Sequence, residues 1–334
     1  MRLNLRSVVR AEAFVLFIVV LLGATALSLV SSQFLQTFNI YVLLYNVALS
    51  TLVAFGQMVV VATGGMNISL GAIGGLSAVV AAMLMEWHGW PLWLIIPVVL
   101  LGGTLMGFIN GFLTVKTGIS AFVITLAMAS AYTGASMAIT NANPIYGIYE
   151  SVRSLGQARI GVFPWPAVAT MVVMAGLATW FHRMTSGRQV LALGGNRTAA
   201  ELTGVPIGRR VIQAHVISGL IASIAGFLTM ARVQAGAPTI GNAWLLPGFA
   251  AIVIGGVLLE GGKITIVGVL LGVAILELIA NALAISHTDP FFVTLLQGAL
   301  VLVAVILGQA RRRMMAKGRV RPLGALPSTE PRAE

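Results

Sequence analysis

GRQVLALGGNRTAAELTGVPIGRR, residues 187–210, is a polar stretch set between two long blocks that are almost wholly apolar. It holds four arginines (Arg188, Arg197, Arg209 and Arg210), one acid (Glu201) and an Ala199-Ala200 pair bracketed by glycines. A chain of membrane-spanning segments has little reason to keep such a loop unless something in the cytoplasm reads it. The stretch therefore predicts a docking surface for a soluble partner, carried on a short helix.

Composition supports the apolar reading on both sides of that loop. Hydrophobic residues make up 58% of the chain and charged residues 9%. A soluble domain carries about a quarter charged residues, so lipid is the main solvent here. No Lys, Arg, Asp or Glu occurs between Glu12 and Glu86. A span needs about 20 apolar residues to cross a core of about 30 Å, so that stretch alone accommodates three. The chain has no cysteine, which removes disulfides, thiolate metal sites and cysteine nucleophiles.

The expected spans are 13–31, 41–63, 68–85, 92–114, 119–139, 164–182, 212–231, 244–259, 264–285 and 291–309. With the N-terminus in the cytoplasm, seventeen of the 20 basic residues fall on the inner side, and only Arg153, Arg159 and Arg232 fall outside. Basic residues stay cytoplasmic, so the expected fold is an all-α polytopic membrane protein of about ten transmembrane helices with both termini inside. The net charge of +11 is then a topology signal and not a nucleic-acid footprint. The first span is too long for the apolar part of a signal peptide and reads as a retained anchor. Residues 1–310 form one transmembrane domain with a cytoplasmic loop at 183–211. The basic tail 311–334 is expected to be disordered on the inner surface, drawn to anionic lipid.

Two places depart from simple spanning helices: VVVATGGMNISLGAIGGL at 59–76 and AIVIGGVLLEGGKITIVG at 251–268. Each puts a glycine pair after a β-branched run, Gly64-Gly65 and Gly255-Gly256, and the second adds Gly261-Gly262. Glycine pairs let a helix unwind or let another backbone approach closely. Unwound backbone at membrane depth is tolerated only when buried in protein or lining a cavity. Broken or re-entrant segments are therefore expected near 64–71 and 255–263, and such pairs point to a transport pathway. Tight helix packing is the other reading of these glycines. It is the better one for Gly103, Gly107 and Gly111, whose four-residue spacing makes a small-residue face, and for Gly268 and Gly272.

Four segments in order resemble the permease family of ribose- and xylose-type ABC importers, over about residues 45–310. They are GGMNISLG at 64–71, NGFLTVKTGISAFVITLAM at 110–128, GNRTAAELTGVPIGR at 195–209 and FAAIVIGGVLLEGGK at 249–263. The resemblance implies a bacterial inner-membrane, multi-pass permease that forms the path for a small polar solute, of monosaccharide type. It implies cytoplasmic ABC ATPase subunits that hold ATP and Mg, a periplasmic solute-binding protein, and a second permease copy, identical or homologous. It also implies an ATPase-coupling segment on Gly195, Asn196, Arg197, Ala199, Ala200, Glu201, Gly204 and Val205. The chain departs from the family pattern where Asn67 and Pro247 stand in place of acidic residues, Ala127 in place of glycine, and Thr133 near where an arginine is often found. These departures bear on the solute and not on the fold.

Within the coupling segment, Arg197 and Glu201 are one helical turn apart and can pair with each other or with the partner. Asn67, Asn110 and Asn281 are amides in apolar surroundings. Buried amides need hydrogen-bond partners, and these are either solute hydroxyls or neighbouring helices. Phe249 offers a ring face to a sugar, while Trp244 reads as an interface anchor. Glu277 is the acid deepest in an expected span. An intramembrane carboxylate is by default a functional hypothesis, and a hydrogen bond to Asn281 as structural glue is the competing role. The longest external segment, 140–163, with Asn141, Asn143, Glu150 and Arg153, offers a receptor contact or an ordinary connection.

Other function classes fit less well. The four histidines show no metal-ligand spacing, so no metal site is expected. No nucleotide site is expected on the chain, because Gly262-Lys263 is followed by Ile264 and preceded by Val257, where a phosphate loop needs Ser or Thr and a first glycine. A membrane enzyme needs a convergent set of acid, base and nucleophile that the sequence does not offer. An ion-coupled secondary carrier using Glu277 is the rival transporter reading. Within the importer class, autoinducer-2 (a furanone-type quorum signal) or a nucleoside is the rival solute.

Overall fold

The structure, a computed structural model, describes residues 5–286, with side chains from residue 13, and isolated positions between 292 and 306. The expected span 291–309 falls largely, and the tail 311–334 wholly, outside the described residues. The chain runs through α1 (Leu5–Val30), α2 (Thr37–Val61), α3 (Leu70–Glu86), α4 (Leu92–Thr117), α5 (Ala121–Thr140) and α6 (Glu150–Gln157). It then makes a hairpin of β1 (Arg159–Ile160) and β2 (Phe163–Pro164). After this come α7 (Trp165–Arg183), α8 (Thr185–Gly195), α9 (Arg197–Leu202), α10 (Ile207–Val233), α11 (Leu245–Ile254) and α12 (Ile266–Ile285).

Among the described residues, seven helices are long and apolar enough to cross a membrane: α2, α4, α5, α7, α10, α12 and the part of α1 from Ala13. The expected span 244–259 is corrected. Its helix, α11, has ten residues, which at 1.5 Å per residue is about 15 Å, half of what a crossing requires. Gly255 and Gly256 stop it, and the chain turns back before α12 begins at Ile266. α3 has 17 residues and follows an irregular segment, 62–69, in which Ala62, Asn67 and Ser69 are buried.

α2 and α10 form the centre. More than half of α2 is buried, from Tyr45 to Val61, and α10 packs against α2, α3 and α4. The α4–α10 contact works as the glycine spacing predicts. A Cβ on Gly103 would lie 2.7 Å from the Gly219 carbonyl oxygen, one on Gly107 3.1 Å from the Val216 Cα, and one on Gly111 2.8 Å from the Ile212 Cα. Only residues without a side chain let the two backbones approach this closely. Gly268 and Gly272 play the same part between α12 and α11, against Gly255 and Ala251. In contrast, α1, α4 and α5 present large apolar side chains outward, among them Leu22, Leu101 and Phe122. This is the expected surface of helices that face lipid.

The bundle has two distinct ends, joined by α10, whose 27 residues rise about 40 Å. At one end α10 emerges from the α8–α9 hairpin. At the other it packs against α6, where a Cβ on Gly156 would meet the Ala231 backbone. The 140–163 segment is thus not a bare connection. Val152 is fully buried, Ile145 bridges to Gly236, and an exposed Glu150–Arg153 pair at 3.7 Å lies on the outer face of α6.

Candidate functional site

Toward the α6 end, α2, α10, α11 and α12 line a partly open cavity of about 340 Å³, within the range of small-molecule sites. Its polar lining is Asn46 and Ser50 from α2, Thr229 and Arg232 from α10, and Glu277 from α12, with Trp244 just before α11 and Pro247 within it. Trp244 packs on Gly74 of α3, where any side chain would collide with the indole. The Ser50 hydroxyl donates to Glu277 Oε1 at 2.6 Å. Arg232 donates to the Asn46 side-chain oxygen and lies 4.5 Å from the centre of the Tyr45 ring. No ion pair closes between Arg232 and Glu277, so opposite charges face one cavity with a gap between them.

The cavity redistributes the expected solute residues. Glu277 lines it, but its partner is Ser50 and not Asn281. Asn281 instead exchanges two hydrogen bonds with Asn39, at 2.7 and 3.2 Å, fastening α12 to the start of α2. Phe249 packs against the main core cluster rather than lining the cavity. Asn67 and Asn110 are fully buried and bond within the protein. Asn110 donates to Ser69 at 2.7 Å, Ser69 to Asn67 at 2.8 Å, and Asn67 to Ser218 at 2.9 Å, while Tyr132 donates to Asn110 at 3.1 Å. These bonds join the first break to α4, α5 and α10. Gln57 and Thr125 satisfy the irregular backbone there: Gln57 donates to the Asn67 carbonyl, and Thr125 accepts from the Ile68 N–H. Non-helical backbone at this depth needs such partners.

Asn46, Ser50, Thr229 and Arg232 were not anticipated from the sequence. The available signal was Arg232. It is one of three basic residues that break the cytoplasmic charge rule, and it sits at the end of an apolar span.

The opposite end of α2 carries the second feature. α2 stops at Val61 and α11 at Ile254, and the turns that follow meet each other and the end of α8. Gly262 N donates to the Ala62 carbonyl at 3.2 Å. A Cβ on Gly261 would lie 2.6 Å from Gly64 N and 2.9 Å from the Gly194 Cα, and one on Gly262 2.6 Å from Gly195 N. Gly261 and Gly262 have φ of 92° and 77°, a region that favours glycine. Gly64, Gly261 and Gly262 therefore form one junction with Gly194 and Gly195, whereas Gly65 lies against Ala121 and Gly255 against α12. Along α2 the junction lies about 12 Å from Val53 on the cavity wall.

Directly after Gly195, the Asn196 side chain caps α9 by accepting from the Ala199 N–H at 3.0 Å. α9 presents Arg197, Ala199 and Glu201 outward, while Ala200 is buried. Arg197 and Glu201 form no ion pair. Leu202 is 84% exposed, an apolar side chain standing out of a polar hairpin, and the motif-based reading passed over it. Gly204 and Val205 turn the chain into α10, Gly204 with a φ of 78°. Among the described residues, no group of His, Cys, Asp and Glu could hold a metal ion.

Comparison with known proteins agrees with this architecture. Residues 39–305 match the family model described as branched-chain amino acid transport system / permease component. The chain is 33% identical over 304 residues to the ribose import permease protein of Bacillus subtilis, covering 89% of this chain and 91% of the relative. It is 34% identical over 295 residues to the D-allose transport system permease protein of Escherichia coli, covering 87% and 89%. It is 32% identical over 315 residues to the fructose import permease protein of Rhizobium meliloti, covering 92% and 88%. With the family model spanning most of its length and relatives matching nearly end to end, the chain belongs to this permease family of binding-protein-dependent importers.

Proposed function

We propose that this permease carries a neutral monosaccharide, delivered by a periplasmic binding protein to the α6 end, and that ATP hydrolysis on partner subunits docked at α9 drives it. The relatives are import permeases for ribose and fructose and transport permeases for allose and arabinose, and they match over most of their length. The single observation that carries the mechanism is the glycine junction. It ties the end of α2 and the turn after α11, the far ends of two helices whose other residues line the cavity, to the hairpin that presents α9. A displacement of α9 is therefore felt by the cavity wall through backbone contacts, with no flexible side chain between.

In this reading α9 is the docking helix for a cytoplasmic ATPase. Its capped start, exposed Arg197 and Glu201, and projecting Leu202 form the contact. The α6 end faces the periplasm, with both termini in the cytoplasm of a bacterial inner membrane. Two permease copies and two ATPase subunits make the transporter. ATP and Mg bind the partner subunits, and this chain performs no covalent chemistry.

The test is uptake of labelled ribose, allose, fructose and arabinose in cells carrying the permease with its natural partners. Labelled leucine, isoleucine and valine are included, because the family description names branched-chain amino acids. Uptake is measured with the ATPase intact, with it inactivated, and with the membrane gradient collapsed. Sugar uptake that stops with the ATPase and survives gradient collapse is expected. Uptake that needs the gradient and ignores the ATPase overturns the reading in favour of an ion-coupled carrier. Uptake of the amino acids alone overturns the solute assignment.

A further inference from the structure

The cavity holds two charged side chains whose remaining hydrogen-bonding capacity is turned toward the same space. A charged group among membrane-spanning helices normally pairs with an opposite charge or a backbone carbonyl. Arg232 and Glu277 line one cavity on facing helices, α10 and α12, yet no ion pair joins them. Each is braced instead by neutral neighbours. Asn46 accepts from Arg232, and the Tyr45 ring lies against the guanidinium. Ser50 donates to one oxygen of Glu277. A guanidinium has five N–H donors and a carboxylate about four acceptor positions, so both keep capacity beyond these bonds.

From this geometry we infer that Arg232 and Glu277 form a donor–acceptor clamp for a pair of vicinal hydroxyls on a neutral sugar. One hydroxyl donates to Glu277 and its neighbour accepts from Arg232, which is the pairing that a diol, as both donor and acceptor, can complete. Asn46 and Ser50 hold the two ends of the clamp at a fixed separation. Trp244, wedged against Gly74, supplies a wall that does not move away. The clamp balances one positive charge with one negative charge, so a sugar phosphate finds the carboxylate opposed to it and is rejected. A deoxy sugar leaves one part-buried polar partner unanswered, and a site built to bond a hydroxyl discriminates strongly against the analogue that lacks it.

The inference rests on the monosaccharide reading above, and the experiment separates the two. The complete transporter, with ATPase and binding protein, is reconstituted in proteoliposomes. The best-transported sugar of the four-member panel is compared with its deoxy analogues, each saturating the binding protein so that only passage through the permease is scored. For the unaltered protein, the parent sugar is expected to cross about tenfold or more faster than at least one deoxy analogue. In Glu277→Ala, which removes the acceptor outright, that ratio is expected to fall to about one, because parent uptake drops and analogue uptake does not. Arg232→Lys, which keeps the charge and loses the fork, is expected to shrink the ratio in the same way. Binding-protein-stimulated ATP hydrolysis is measured on the same samples and is expected to persist, which shows that the assembly is intact.

A ratio unchanged in both variants overturns the clamp while leaving the importer reading in place. Equal loss of parent and analogue uptake also overturns it, because that is what a purely structural role for the two residues produces. If the unaltered transporter moves none of the four sugars, the monosaccharide reading fails and the clamp fails with it.

Discussion

Gly262 N donates to the carbonyl of Ala62 at 3.2 Å, joining the turn after α11 to the residue that ends α2. The two residues are 200 positions apart, and each belongs to a glycine-bearing break that interrupts an apolar helix. Gly194 and Gly195 close the same knot from the α8 side. The contact is backbone on backbone, so it has little freedom to yield. That property makes it suited to pass a push from the α9 hairpin to the helices that wall the cavity.

Gly261→Ala tests the knot. The new Cβ would lie 2.6 Å from Gly64 N and 2.9 Å from the Gly194 Cα, and neither is a side chain that can swing aside. The backbone there has a φ of 92°, which for a residue with a side chain costs about 1–2 kcal/mol before any collision. Uptake is expected to fall about tenfold or more in Gly261→Ala, and likewise in Gly194→Ala. Gly176→Ala is the control, because its Cβ would meet nothing within 4 Å, and its uptake is expected to stay within about twofold. Comparable behaviour of all three would remove the junction from the coupling mechanism.

Leu202 tests the docking surface. It is 84% exposed on α9, beside the exposed Arg197 and Glu201. Burying a leucine side chain against a partner is worth about 1.5–3 kcal/mol. Leu202→Asp is therefore expected to weaken co-purification of the ATPase subunits by about tenfold or more. The permease itself should remain in the membrane at its usual amount, since Leu202 contributes nothing to the core. Undiminished co-purification would show that the partner sits elsewhere.

Much of this architecture was legible in the sequence, for physical reasons that differ from place to place. Apolar runs gave most of the crossing helices because the bilayer imposes a length. The four-residue glycine spacing gave the α4–α10 contact because only bare backbone allows that approach. The glycine pairs marked both breaks, but they did not reveal that the breaks touch, since that contact joins segments 200 residues apart through main-chain atoms. The 244–259 run failed as a span because hydropathy does not register where a helix stops. Asn281, Asn67 and Asn110 carried an ambiguity that no local pattern resolves. A buried amide looks the same whether it faces a solute or a serine on the next helix. Glu277 stood out by its charge, while Ser50 and Asn46 are ordinary residues of an apolar helix until α12 and α10 are placed beside them.

Gly107 tests the central packing. Its missing side chain admits the α10 backbone at His215 and Val216. Gly107→Leu forces α4 and α10 apart, and such overpacking costs about 1–3 kcal/mol or more. The purified variant is expected to unfold at lower temperature than the unaltered protein. Gly102→Ala, whose Cβ would meet nothing within 4 Å, is expected to match it. Equal melting of the two variants would show that α4 and α10 can relax without loss.

Asn110 separates a structural amide from a solute-binding one. Its side chain donates to Ser69 and accepts from Tyr132, and through Ser69 it supports Asn67 and Ser218. Asn110→Leu removes a member of that chain and takes from Ser69 the bond it accepts, while the Tyr132 hydroxyl keeps the Met106 carbonyl, at a cost of about 1–3 kcal/mol. The part of the segment 62–69 after Gly64 leans on these bonds, because the turn bonds that end α2 stop at Gly64 N. Thermal stability is therefore expected to drop, and total uptake with it. The relative rates among ribose, allose, fructose and arabinose should stay the same, because the amide lies outside the cavity. Asn67→Ala is expected to behave alike, since its side chain bonds to Ser218 and Ser69 and is fully buried. A change in the order of preferred sugars without loss of stability would return both asparagines to the solute's path. An unchanged order with lowered stability assigns them to the scaffold that holds the first break in place.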